Sequence, residues 1–200
     1  MYTWRSLSEA QKSELLALRE QLSRPLHSPP HFSSDSRTRF HLSGACYEHK
    51  PIIGHSYERM LNFSSEFLAF FEENADEVYA WCVLPNHWHI LVLTDDLRKL
   101  TKELGLLHGR TSHQWNREEN LQGRKCWSKC ADRRIRSEAH FYAACNYIHN
   151  NPVKHGYVKK WADWDFSSAS AFIESHGRDR CLELWEKYPV LDMGENWDSA

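Results

Sequence analysis

Two short stretches of this 200-residue chain hold the residue types from which phosphate chemistry can be assembled. The first is His87-Trp88-His89. Strand side chains alternate between faces, so the two histidines point the same way, about 7 Å apart. Two neutral imidazoles so placed can share a divalent cation if a third ligand and water complete the shell. The ordinary alternative is a pair of half-exposed or hydrogen-bonded histidines. The second stretch is Tyr147-Ile148-His149-Asn150-Asn151-Pro152. On a helix, Tyr147 and Asn151 are four apart and share a face. The Asn151 amide oxygen can supply the third ligand, and the Tyr147 hydroxyl then lies within a helical turn of the metal. That is the arrangement a tyrosine nucleophile requires: a cation that polarises a scissile phosphate, and a phenolate that attacks phosphorus. An unperturbed tyrosine has a pKa of about 10, so the metal or basic neighbours must assist deprotonation. No single base stands out in the sequence. Taken alone, Tyr147 and Asn151 are more simply explained by packing and a capping amide.

These residues need a scaffold, and the hydropathy pattern outlines one. Residues 1–23 carry Leu7, Ala10, Leu15, Leu18 and Leu22 at helical spacing, with Ser8 to Gln11 as a capping box. A Pro- and Ser-rich linker follows to about residue 39. Residues 38–47 alternate as a first strand, and 57–74 form a helix with a thick apolar face. Residues 77–84 and 87–94 flank Pro85-Asn86 as a hairpin, which places the two histidines at a strand start near a sheet edge. A second helix is expected over 97–115, a fourth strand over 125–131, and a third helix over 137–150, stopped by Pro152. One or two short helices follow residue 161. Strand, helix, hairpin, helix, strand is the split βαβ order. The expectation is an α+β, ferredoxin-like sandwich with an antiparallel sheet, helices on one face, and the tyrosine helix on the C-terminal side.

The formal net charge of -2 conceals a strong polarity. Residues 98–160 hold 14 Lys and Arg against 5 acids, an excess of +9, and the remainder carries -11. The basic block includes Arg133, Arg134 and Arg136 near Trp127, a mixture suited to tracking phosphates while rings stack on bases. A solvated helix face is the bland alternative. The arginines and Lys154 are the candidate phosphate contacts. His149 and His155 read more simply as helix-end residues, Trp127 as core, and Cys145 as a small buried hydrophobe.

Composition bounds the rest. A hydrophobic fraction of 41% is ordinary for a globular protein, and no apolar run reaches the roughly 18 residues of a membrane span. Six irregularly spaced cysteines and the absence of a signal-like start suggest reduced thiols in a cytoplasmic protein. Cys126 and Cys130 form a C-x3-C without a second pair at zinc-site spacing.

Taken together, LPNHWHILV (84–92), CADRRIRSE (130–138) and YIHNNPVKHGYV (147–158) resemble the REP-associated tyrosine transposases, within the single-tyrosine HUH superfamily. The resemblance covers roughly residues 38–173, leaving 1–37 as an N-terminal helix and linker and 174–200 as a C-terminal extension. It implies a ferredoxin-like domain that cuts and rejoins single-stranded DNA at hairpin-forming repeats. It implies Mg2+ or Mn2+ held by His87 and His89, and Tyr147 as the nucleophile. The attack leaves a covalent 5′-phosphotyrosine and a free 3′-hydroxyl, and a second 3′-hydroxyl reverses it. The wider superfamily has Gln as third ligand four residues after the tyrosine. Asn151 stands there, one methylene shorter, as in the REP-associated branch.

The expected partner is therefore hairpin-bearing single-stranded DNA, bound by a monomer or homodimer, with no membrane. A different class of reading is a domesticated hairpin binder that keeps the fold and basic face without catalysis. A zinc hydrolase built on the H-x-H and the cysteines is disfavoured, since no acid lies at ligand or general-base spacing near His87.

Overall fold

The computed structural model describes residues 37–190, together with Ser8, Ala10, Ser13, Glu14 and Ala17, of which the last four are helical. Most of the expected N-terminal helix, the linker, and the end of the C-terminal extension lie outside the described residues. The elements run β1 (Thr38–Ala45), α1 (Tyr57–Asn74), β2 (Glu77–Val83), β3 (His87–Thr94), α2 (Leu97–Glu118), β4 (Ala131–Arg134), α3 (Glu138–Lys154), α4 (Ala169–His176) and α5 (Arg178–Lys187). No described helix is long and apolar enough to cross a membrane.

The four strands form one antiparallel sheet in the order β2-β3-β1-β4, the arrangement expected of a split βαβ fold. Alternation along β3 then divides the protein into two layers. Trp88, Ile90 and Val92 pack with Phe63 and Phe67 of α1 and with Leu100 and Leu104 of α2. Leu91 instead packs with Ala144, Cys145, Tyr147 and Ile148 of α3. Helices on one face therefore describes α1 and α2, while the tyrosine helix α3 covers the opposite face. The reason is the pleat: the face carrying His87, His89 and Leu91 is itself apolar beyond the histidines and needs its own cover.

Helix starts follow local chemistry. Ser56, Asp96 and Ser137 each accept a backbone N–H three residues on, at 3.1, 2.9 and 3.1 Å. A cap of this kind is worth about 1 kcal/mol.

Two boundaries differ from expectation. The fourth strand lies at Ala131–Arg134 and not at 125–131. The earlier segment makes only the bridge between Trp127 and Cys46, because the Trp127 indole is drawn under the sheet, stacked on His108 at 4.0 Å and 6°. Helix α3 also runs through Pro152 to Lys154. Proline lacks the N–H that would bond the Ile148 carbonyl, so the helix gives up one hydrogen bond here and continues only two residues further. The turn then closes with the Gly156 and Tyr157 N–H groups donating to Val153 and Pro152, and Gly156 takes the positive φ of 75° that ends the helix.

The sheet centre is tightly interlocked. Gly44 of β1 stands opposite Trp88 of β3, and a Cβ at 44 would meet Trp88 Cζ2 at 2.5 Å. The indole thus lies across β1 where a side chain would be, fixing the non-histidine face of β3.

Candidate active site

The sheet face under α3 brings together residues far apart in the chain. On β3, His87 and His89 point toward α3 with their ring centroids 5.1 Å apart. On α3, Tyr147 lies edge-on to His89 at 5.2 Å. One helical turn further, Asn151 Oδ1 stands 2.9 Å from His87 Nε2. All four are buried: His87 is 3% exposed, His89 1%, Tyr147 2% and Asn151 0%. The four candidate metal and nucleophile residues therefore converge in one enclosed cluster.

Three neighbours complete it. Asn86, in the hairpin turn, places Oδ1 2.7 Å from His87 Nδ1. His41 on β1 places Nε2 3.2 Å from His89 Nδ1, and its ring lies 5.8 Å from that of Tyr147. His155, just past the helix end, packs its ring against His87 at 4.9 Å. Asn86 lies in the 84–92 motif beside His87, whereas His41 as a partner of the site was not legible in any motif. The available signal was a lone imidazole between Phe40 and Leu42, on the strand face opposite the apolar one.

The donor chemistry can be tested against a divalent cation. Asn86 Nδ2 donates to the His49 carbonyl at 3.1 Å, so its oxygen is the atom facing His87, and His87 Nδ1–H donates to it. A neutral ring then presents a lone pair at Nε2 toward the Asn151 oxygen, while Asn151 Nδ2 is buried without a hydrogen-bond partner. Two arrangements satisfy the pair. Either the amide turns and its N–H donates to Nε2, or Nε2 and Oδ1 both ligate a cation. Neighbouring ligands of an octahedral Mg2+ with bonds of about 2.1 Å stand about 3.0 Å apart, which matches the observed spacing. The residues fit the metal. Among the described residues no group of three or more His, Cys, Asp or Glu side chains could hold a metal ion, so a set built here would have to draw on the Asn151 amide.

The candidate phosphate contacts are distributed differently from a single row. Arg133 pairs with His41 across β1 and β4, and so shares the tyrosine face; Arg134 pairs with Phe40 and takes the other face. All three arginines are exposed. Arg133 and Arg136 also gather near the start of α3, where burial first, and then these two charges, hold His140 below the usual imidazole range. Lys154 places its ammonium 5.1 Å over the Tyr147 ring, two turns along the same helix. His149 belongs elsewhere. It is buried against Trp161, shares a hydrogen bond of 2.9 Å with Ser168 Oγ, and burial pushes it down to about 3. Cys126 donates to Asn116 Oδ1 at 3.3 Å and Cys130 approaches His108 at 3.8 Å, both on the far side of the sheet.

No family model matches the chain. A REP-associated tyrosine transposase of Haemophilus influenzae is 28% identical over 129 residues, which is 54% of this chain and 70% of that protein. A REP-associated tyrosine transposase of Escherichia coli is 31% identical over 96 residues, 46% of this chain, and the match spans about half (53%) of that relative's length. A solved REP-associated tyrosine transposase bound to a REP hairpin aligns with a TM-score of 0.55 at 21% identity, over 72% of this chain and 83% of that one, a likeness of fold. In its motifs, in sequence and in fold, the chain is thus similar to the REP-associated tyrosine transposases.

Proposed function

We propose that this protein binds hairpin-forming single-stranded DNA and cuts and rejoins it through Tyr147. The observation that carries the reading is the convergence of β3 and α3, with Tyr147 5.2 Å from His89 and Asn151 2.9 Å from His87. The similarity to transposases, one of them solved with a REP hairpin, supports the choice of DNA as substrate.

In this reading the Tyr147 oxygen attacks a backbone phosphorus. A tyrosine–phosphorus bond forms, the bond from phosphorus to the 3′-oxygen breaks, and the departing oxygen gains a proton as a free 3′-hydroxyl. Rejoining is the reverse attack by a 3′-hydroxyl. His87, His89 and Asn151 would hold Mg2+ or Mn2+, which supplies polarisation of the phosphate and offsets its charge. Lys154 beside the Tyr147 ring adds positive charge where the phenol must lose its proton. Arg133, on the same face of the sheet, would meet the DNA backbone.

A second reading, a hairpin binder without catalysis, is favoured by one observation: Tyr147 keeps only 2% of its surface exposed. For cleavage, the cover over the cluster must open when DNA binds.

The discriminating experiment incubates the protein with labelled, hairpin-bearing single-stranded DNA and Mg2+ or Mn2+, then looks for a covalent adduct on a denaturing gel. Wild type should form it and Tyr147→Phe should not. No adduct with either metal, or an adduct from Tyr147→Phe, rejects the mechanism.

A further inference from the structure

A metal-binding imidazole must carry its proton on the nitrogen that does not face the metal, and a hydrogen-bond partner on that nitrogen decides the matter. Both strand histidines have such a partner: Asn86, the residue just before the H-x-H, and His41 on β1. His87 Nδ1–H meets Asn86 Oδ1 at 2.7 Å, and His89 Nδ1 meets His41 Nε2 at 3.2 Å. We infer that Asn86 and His41 are positioning residues which hold the Nδ1 hydrogens of His87 and His89, leaving Nε2 of each as the lone-pair atom. The inference deepens the proposed function and rests on its metal reading.

The geometry around each partner supports this. Asn86 is locked from two sides: its amide nitrogen donates to the His49 carbonyl at 3.1 Å, and its backbone carbonyl accepts from Cys46 N–H at 2.7 Å. Its oxygen therefore cannot turn away from His87 without breaking the tie to the His49 carbonyl. His41 is 3% exposed and sits on the central strand β1, where Ser43 pairs with His89 and His41 with Leu91. Strand register thus sets its reach to His89 Nδ1.

The choice of partners also has a chemical consequence. Metal-bound histidines commonly donate to a carboxylate, a backbone carbonyl or water. Here the partners are a neutral amide and an imidazole. They orient the rings and choose the tautomer without adding negative charge beside a site that must admit a phosphate.

The bond between His41 and His89 has two possible directions, and only one serves. If His89 Nδ1–H donates, His89 Nε2 carries no proton and can ligate. If His41 Nε2–H donates, the His89 proton sits on Nε2 and ligation is blocked.

The test reads the tautomer directly, by long-range 1H–15N correlation on the metal-free, 15N-labelled protein, and metal affinity by Mn2+ titration. Wild-type His89 should carry its proton on Nδ1. His41→Phe keeps the ring volume but removes the acceptor; it should mix the tautomers and weaken Mn2+ binding by about ten- to hundredfold. His41→Gln restores an acceptor oxygen and should recover most of the affinity. A wild-type His89 protonated on Nε2 overturns the inference, and that measurement needs no variant to fold. Equal Mn2+ affinity in wild type and His41→Phe overturns the positioning role alone. A wild type that binds no Mn2+ overturns the metal reading itself, and the role with it.

Discussion

His87 Nε2 and Asn151 Oδ1, 64 positions apart in sequence, stand 2.9 Å from each other in the space between β3 and α3. This single approach ties the hairpin to the tyrosine helix. It also explains why the helix must continue to Asn151 and past it: the amide has to be held in regular helical geometry, one turn beyond Tyr147, to face the strand. A helix that ended at Asn150 would leave that carboxamide on an irregular segment, with its direction undefined.

Replacing Asn151 should accordingly uncouple metal binding from folding. Asn151→Leu keeps the volume and removes the ligand oxygen. We expect Mn2+ affinity to fall by about tenfold or more, with the far-UV circular dichroism spectrum unchanged. Affinity equal to wild type in an isothermal titration would remove Asn151 from the ligand set.

The central sheet should be intolerant of a single methyl group at Gly44. Its Cβ would press into the Trp88 indole, which is fully buried among Phe67, Phe71 and His108. Overpacking of this kind costs roughly 2–3 kcal/mol, readable as a lowered urea midpoint for Gly44→Ala. An unchanged midpoint would mean that β1 and β3 can part more easily than their register implies.

Where the sequence was informative, the physical reason is periodicity. Alternation marks 77–84 and 87–94 as a hairpin, which puts His87 and His89 on one face without any knowledge of the tertiary fold. The i, i+4 spacing does the same for Tyr147 and Asn151. The features that were not legible depend on packing between distant segments. Strand β4 is only four residues, three of them exposed, and carries no alternation of its own; its place is set by pairing with β1. His41 carries no motif, and only the crossover that puts β1 beside β3 brings it to His89. Pro152 does not stop the helix because Asn151 and Pro152 are themselves buried, and that packing holds the last turn despite the missing N–H.

Acid should weaken the packing of α1 against the end of α2. The Glu119 carboxylate, bonded first to Arg124 and then to Arg59, is lowered to about 2 from an ordinary 4.5. A lowered acid stabilises the fold fully above its unfolded value and loses that contribution as pH falls toward its folded one. The window is thus pH 4.5 down to about 2. At pH 7, Glu119→Gln should cost roughly 1–2 kcal/mol after solvent screening, and the gap to wild type should close below the window. A pH-independent gap in urea denaturation would show that packing, not charge, carries the effect.

His108 predicts a second acid sensitivity at higher pH. Buried and stacked on Trp127, it is pushed down to about 3 from 6.5, so the unfolded chain takes up its proton first. Stability from this group is therefore lost progressively as pH falls below 6.5 toward 3. Between pH 7.5 and 5 the loss is about 2 kcal/mol. His108→Phe, which preserves the stack and has nothing to protonate, should abolish that part of the slope. Parallel pH profiles of wild type and variant would contradict the assignment.

The arginines should separate by strand face. Arg133 shares the tyrosine face with His41, whereas Arg134, next in sequence, turns toward the side of α1 and α2. In the proposed reading, a backbone that crosses this face to Tyr147 would meet the first and need not touch the second. Removing one cation that neutralises a phosphate should lower the slope of log affinity against log salt by about 0.7–0.9. Fluorescence anisotropy with hairpin DNA, from about 50 to 200 mM salt, should therefore show a shallower slope for Arg133→Ala and a nearly unchanged one for Arg134→Ala. Equal effects would mean that the DNA wraps the edge of β4 and meets both faces. A larger effect at Arg134 would move the DNA path to the side of the sheet away from the tyrosine, so that the basic block would not serve the cluster at His87, His89, Tyr147 and Asn151.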